Sequence, residues 1–172
     1  MQVFGPTAQD DNERSLLLRS QGPLIDVVLR NPINSHQLNE LSPQYHLNSQ
    51  EYTALIDTGA SVNCIDNLIA KQLKLKVIDS RLMRSANNSG LTPIYLGQVF
   101  IPKLKETIFG EFYGADLSQS GQHHKSLLGT PFLSNFIFNY DGPKGLFHIG
   151  RTNELYESVT MSLSHLTSNR TS

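Results

Sequence analysis

The sequence predicts a mainly β chain, a compact barrel or sandwich with two short helices. Short runs rich in β-branched and aromatic residues recur from residue 24 to residue 149, and clusters of Gly, Pro, Asn and Asp punctuate them. Only two stretches, 67–73 and 131–136, carry helical spacing and cap chemistry. The regular alternation of strands with longer helices that marks βαβ units is missing, which sets aside a parallel α/β sheet.

The 172 residues suit one domain. Counting Gly and omitting Tyr, the apolar share is about 41%, below the ~45–50% usual for globular proteins, so part of the chain is expected to be loop or tail. Fourteen Lys and Arg against 15 Asp and Glu leave a net charge of −1, which gives no electrostatic footprint for nucleic acid or for an anionic membrane. The longest apolar runs, near 16–18 and 24–29, are far shorter than the ~18–20 residues of a bilayer span. A single Cys excludes an intrachain disulfide and a Cys-rich zinc site. The compartment reads as reducing and cytoplasmic, or as periplasmic or secreted where a leader has been trimmed, since the first residues lack a basic region followed by an apolar one.

Residues 1–22 form a polar N-terminal segment to which no element is assigned, and Gly22-Pro23 opens the domain proper. In 24–30, Ile25, Val27 and Leu29 fall on one face and Asp26 and Arg30 on the other, a half-buried strand. Residues 31–50 show no period and read as a long surface loop. Residues 51–56 form a second strand that stops at Asp57-Thr58-Gly59. After the apolar run 62–65, Asp66 caps a helix over 67–73. Residues 76–84 and 91–101 are strands around the polar hinge 85–90, and 107–116 is another strand. Loop 117–126 leads into Ser126-Leu127-Leu128-Gly129 and then a helix started by Thr130-Pro131. A last hairpin joins 136–140 to 146–149 through Asp141-Gly142-Pro143-Lys144-Gly145. Beyond it, 151–172 is a polar extension, either disordered or an added edge strand.

Chemistry concentrates at Ala54-Leu55-Ile56-Asp57-Thr58-Gly59-Ala60-Ser61, where an apolar strand delivers one carboxylate onto a turn of small residues. A lone ionised carboxylate in a dry place costs several kcal/mol, so Asp57 calls for backbone donors, a partner or solvent. Gly59 gives the turn freedom and allows close approach, and the Thr58 hydroxyl is placed to lock it.

Asp57-Thr58-Gly59-Ala60-Ser61 after an apolar strand resembles the active-site loop of retropepsin-like aspartic proteases. A Gly-tipped hairpin at 82–96 stands where that family has its flap, and Leu127-Leu128-Gly129 before a short helix resembles its second hydrophobic-hydrophobic-Gly motif. The resemblance covers roughly 23–150. It implies a closed acid-protease barrel with one lobe per chain, and an endopeptidase that hydrolyses peptide bonds with no metal or other cofactor.

That chemistry uses two carboxylates sharing one proton, one as base toward water and one as acid toward the carbonyl, which implies an acidic to mildly acidic pH optimum. The chain has one Asp-Thr-Gly and no Asp-Ser-Gly, so the second Asp57 comes from a second copy and the active form is a homodimer. By the resemblance, Thr58 bonds across the two-fold axis, Gly59 supports the loop, Ala60 and Ser61 line the peptide or protein substrate, and Asn87, Asn88, Ser89 and Gly90 close over it.

The sequence also departs from the pattern. Residues 31–50 exceed the usual tight connection, the flap tip has one Gly, Ser61 stands where retroviral enzymes often carry an acid, and 151–172 has no counterpart. These departures motivate an alternative, a non-catalytic dimerisation or peptide-binding module of the same fold, and a third reading, an enzyme that cuts only itself or one partner. Cys64, in an apolar run, reads as packing. His123-His124 reads as a solvated pair with no ligand-spaced neighbour, and Asp10-Asp11 as a solvated face.

Overall fold

The computed structural model describes residues 1–32, 50–84 and 89–151. It divides into two compact units, Gly22–Phe132 and the pairing of Met1–Gln21 with Leu133–Ser172.

The Gly22–Phe132 unit is built from β2 (Leu24–Arg30), β3 (Glu51–Ile56), β4 (Cys64–Asp66), α2 (Asn67–Gln72), β5 (Lys76–Arg84), β6 (Ser89–Ile101), β7 (Glu106–Ala115) and β8 (Ser126–Leu128). The strand order β2-β3-β8-β4-β7-β6 closes on itself because β6 also pairs with β2, giving a six-stranded barrel with β5 outside the ring on β6. Two pairings, β3 with β8 and β4 with β7, are parallel, and the other ring pairings are antiparallel. The expected mainly β barrel is therefore what the chain forms. Its lining follows from alternation: Tyr52, Ala54 and Ile56 of β3 are buried, as are Val27, Ile94, Val99, Phe112 and Leu128.

The strand over 24–30 is present, but its outer face is not uniformly exposed. Arg30 is buried, with its guanidinium 5.6 Å from the Phe100 ring centroid, because the end of β2 pairs with β6 at Leu29↔Val99 and Arg30↔Gln98. Sequence alternation reports the faces of a strand, and a barrel closure adds a neighbour that alternation does not announce.

Asp66 caps α2 as expected. One carboxylate oxygen accepts from the amides of Leu68 (2.9 Å) and Ile69 (3.2 Å), and the other from Ser118 (2.7 Å), while the residue is 1% exposed. Burial pushes the carboxyl up, and the amides of Ser118, Ile69 and Leu68 outweigh it, so the group titrates below its ordinary value. Asp66→Ala is expected to cost roughly 2–4 kcal/mol at neutral pH, since it removes a cap and leaves buried amides unpaired. A depressed folded-state value gives stability that is full above the unfolded carboxylate range and lost as pH falls through the folded value. Thermal melts of both proteins from pH 7 to pH 3 should therefore converge toward the acid end.

The other unit holds β1 (Gln2–Phe4), α1 (Asp11–Gln21), β9 (Ile137–Asp141) and β10 (Leu146–Gly150); α3 (Thr130–Leu133) ends at its border. Its sheet runs β1-β10-β9, all antiparallel, with Phe4 stacked on Phe147 at 5.4 Å between centroids. The hairpin over 137–150 and both expected short helices are there; α3 is shorter than 131–136 because the chain turns at once, with Phe136 N–H donating to Leu133 C=O. The polar segment 1–22 carries a strand and a helix, β1 and α1, that its composition does not announce. Asp10 is exposed and also caps α1, accepting from the Glu13 amide (2.8 Å), while the Glu13 carboxylate accepts from the Gln9 amide (2.7 Å). Ser15 Oγ donates to Gly142 C=O at 2.7 Å, seating α1 on the β9–β10 turn.

The loop over 33–49, the hinge tip 85–88 and the extension beyond Arg151 lie outside the described residues. No helix among the described residues is long and apolar enough to cross a membrane.

Candidate active site

Two neighbouring strands set the site. β3 and β8 run parallel in the register Ala54↔Ser126, Leu55↔Leu127, Ile56↔Leu128, so Asp57 and Gly129 leave the barrel side by side. The Asp57 amide extends the ladder one step, donating to Leu128 C=O at 3.0 Å. The Thr130 amide donates to Ala60 C=O at 2.9 Å, and the Gly129 amide to Asn63 Oδ1 at 3.0 Å. The loop 57–63 and the segment 128–130 are thus stitched together by backbone geometry and one buried side chain, which makes Leu127, Leu128 and Gly129 a floor for the Asp57 loop.

Asp57 is half-buried. Its Oδ1 accepts from the Gly59 amide at 2.9 Å, and its C=O from the Ala60 amide at 3.2 Å, a tight turn that satisfies one carboxylate oxygen and leaves the group open to solvent. Gly59 matters for closeness: a Cβ there would lie 3.3 Å from Asp57 Oδ1, while its φ is outside the left-handed region. Of the two reasons expected from sequence, freedom of the turn and close approach, conformational freedom is not the one at work. Thr58, Gly59 and Ser61 are exposed and Ala60 is half-buried; among the described residues the Thr58 hydroxyl has no hydrogen-bond partner and does not lock its own turn.

Electrostatics carries the Asp57 charge into the barrel wall. Burial first, and then the Asp57 charge, push the Cys64 thiol up to about 11, so at neutral pH it is a protonated packing group, as expected. His123 is exposed, but His124 is 8% exposed, which corrects its reading as solvated. Burial, with Lys125 and His123, pulls His124 below its ordinary value against the opposing pull of Asp57. Next to His124 the Lys125 amide donates to Thr53 C=O at 2.7 Å, continuing the β3–β8 ladder one residue before Ala54↔Ser126. Among the described residues no three His, Cys, Asp or Glu come together in a way that could hold a metal ion.

The last described pair of the β5–β6 hairpin is Arg84↔Ser89. Asn87 and Asn88 are outside the described residues, Ser89 opens β6, and Gly90 is exposed with open space where a side chain would be. The fixed point of this arm is Arg81, whose Nη1 donates to the Tyr113 hydroxyl at 3.0 Å, while the Tyr113 amide donates to Asn63 C=O at 2.8 Å.

Asn63 and Tyr113 were not among the residues singled out from sequence. Asn63 left one signal, a polar residue inside the apolar run Val62-Asn63-Cys64-Ile65. Tyr113 left none, since its ring is 7% exposed and reads as core.

A family model for aspartyl protease matches residues 44–132, just over half of the chain. No curated protein matches. Among solved structures the chain is similar to EIAV protease complexed with the inhibitor HBY-793, at 18% identity and a TM-score of 0.37, over 65% of this chain and 85% of that one. It is also similar to a retropepsin-like aspartic protease from Rickettsia conorii, at 18% identity and a TM-score of 0.41, over 85% of this chain and 90% of that one. The span matched by the family model takes in the Asp57 loop, the β5–β6 hairpin and the Leu127–Gly129 floor, and the chain belongs to the aspartyl protease family.

Proposed function

We propose that the protein is an aspartic endopeptidase active as a homodimer, in which Asp57 of each copy shares a proton with its twin and activates water for peptide-bond hydrolysis. The observation that carries this is the Asp57 turn: a carboxylate fixed by the Gly59 amide, floored by Leu128 and Gly129, and presented on a loop whose tip, Thr58 and Gly59, is exposed. One carboxylate cannot divide the roles of acid and base, and two held about 3 Å apart do so because they cannot both ionise. Family membership supports the peptidase reading. The exposed Thr58 fits a bond to the second copy, and Ala60 and Ser61, flanking the carboxylate, fit the substrate-lining role. The hairpin residues Asn87, Asn88, Ser89 and Gly90 are proposed to close over the peptide, with Arg81 and Tyr113 fixing the arm they ride on.

The test is cleavage of a denatured protein, and of fluorogenic peptides, at pH 4 to 7 over a wide range of enzyme concentration. Specific activity should fall as the enzyme is diluted through the dimer dissociation range and be blocked by a statine-type transition-state mimic. Cleavage strictly proportional to enzyme, by a species that sediments as a monomer, would overturn the dimeric mechanism. A folded dimer with no cleavage at any pH, and with its own N-terminal segment intact after storage at high concentration, would instead identify a binding module.

A further inference from the structure

We propose that Asn63 is a positioning residue for Asp57, holding the Asp57 loop at its working distance from the 128–130 segment. The inference rests on Asp57 being the catalytic carboxylate. Three bonds join the two segments: Asp57 N–H to Leu128 C=O, Thr130 N–H to Ala60 C=O, and Gly129 N–H to Asn63 Oδ1. The first two are made by backbone groups alone, so no substitution removes their donors or acceptors. The third is made by the side chain of a residue that is 7% exposed, and its acceptor serves the amide of a buried glycine.

The geometry explains why this bond governs placement. A Cβ on Gly129 would lie 2.5 Å from both Ala60 C=O and Val62 C=O, so the two segments are already as close as backbones allow. Without Asn63 Oδ1 the Gly129 amide is a buried donor with no acceptor, and the segment must shift to find water or another carbonyl. Leu128 and Gly129 are adjacent, so a shift of Gly129 moves the carbonyl that holds the Asp57 amide. Asn63 is anchored independently through its own C=O, which accepts from Tyr113, and so can act as a fixed strut. Catalytic groups tolerate about 0.5 Å of misplacement, and an error of about 1 Å costs on the order of 100-fold in rate.

The experiment compares wild type with Asn63→Leu, which removes the acceptor, and Asn63→Asp, which keeps an oxygen in the same place and is compared at acid pH, where burial holds the new carboxyl in its neutral form. Each is assayed at its own pH optimum within the acid range, per active site titrated with a statine-type inhibitor. Asn63→Leu should lower kcat by about 10- to 100-fold with KM changed less than about threefold, and Asn63→Asp should recover to within about fivefold of wild type. Unchanged kcat per titrated site in Asn63→Leu, or equal damage in Asn63→Asp, overturns the proposal. Should Asn63→Leu not fold, Asn63→Ser, whose oxygen sits a bond length short, takes its place, with an expected loss of about three- to tenfold.

Amide hydrogen exchange at Gly129 and Asp57 gives a readout that needs no turnover. Both should exchange at least about tenfold faster in Asn63→Leu and be restored in Asn63→Asp. If wild type cleaves nothing, the endopeptidase reading fails while exchange still decides whether Asn63 holds the loop; unchanged exchange at Asp57 in Asn63→Leu sinks the positioning role.

Discussion

Asp57→Asn should lower kcat by at least about 10³-fold, within the ~10²–10⁴ that a positioned acid or base supplies, and leave the fold intact. Asn is isosteric, and its side-chain oxygen can still accept the Gly59 amide that now bonds Oδ1. The turn therefore keeps its shape, and a half-exposed site tolerates the change within about 0.5 kcal/mol. Lost activity with an unchanged melting temperature is the signature of a chemical role. The same variant probes stoichiometry. If each site needs one carboxylate from each copy, a ninefold excess of the Asp57→Asn chain should draw wild-type chains into dead mixed dimers and cut their rate to about one-tenth. A variant that retains turnover would remove Asp57 from the mechanism, and a rate unaffected by mixing would remove the partner from it.

Gly129→Ala should be the most destabilising single methyl in the barrel. The added Cβ would lie 2.5 Å from Ala60 C=O, 2.5 Å from Val62 C=O and 3.1 Å from the Ala60 Cβ. Two of these neighbours are backbone and the third is joined directly to it, so no rotamer can relieve the overlap. Overpacking costs about 1–3 kcal/mol where side chains can give way, so roughly 3 kcal/mol or more is expected here. In a domain of this size that lowers the melting temperature by roughly 6–12 °C. Gly110→Ala is the matched control: nothing lies within 4 Å of its Cβ and its φ is unexceptional, so its effect should stay within about 0.5 kcal/mol. A calorimetric scan of both, with equal losses, would show that the close approach at Gly129 is not what limits the fold.

Local chemistry made much of this legible before the structure. Asp66 announced α2 because a capping carboxylate is a short-range signal, and β9 and β10 followed from the turn residues between them. Asp57 and Leu127-Leu128-Gly129 were readable as separate motifs, since each is contiguous. Their adjacency was not, because it depends on the parallel register of β3 with β8, strands far apart in the chain. The same limit hid Asn63 and Tyr113, whose roles come from what the barrel folds onto them. In 1–22 a readable signal went unused: Asp10 and Glu13 have capping-box spacing, but the Leu run at 16–18 buries only Leu18 deeply, so the helix shows little apolar stripe.

β6 runs for 13 residues, and one of its edges is divided, with Ser89 to Leu96 serving β5 and Gln98 to Phe100 serving β2. A single stave of the barrel is thus also the lever that carries the arm. Adding or deleting one residue in its lower half would turn every following side chain to the opposite face and prise open the wall. Length changes in the arm are therefore tolerable only toward its free end, and any graft that retargets it must splice above Ile94, where β6 begins to pair with β7, leaving the root of the lever untouched.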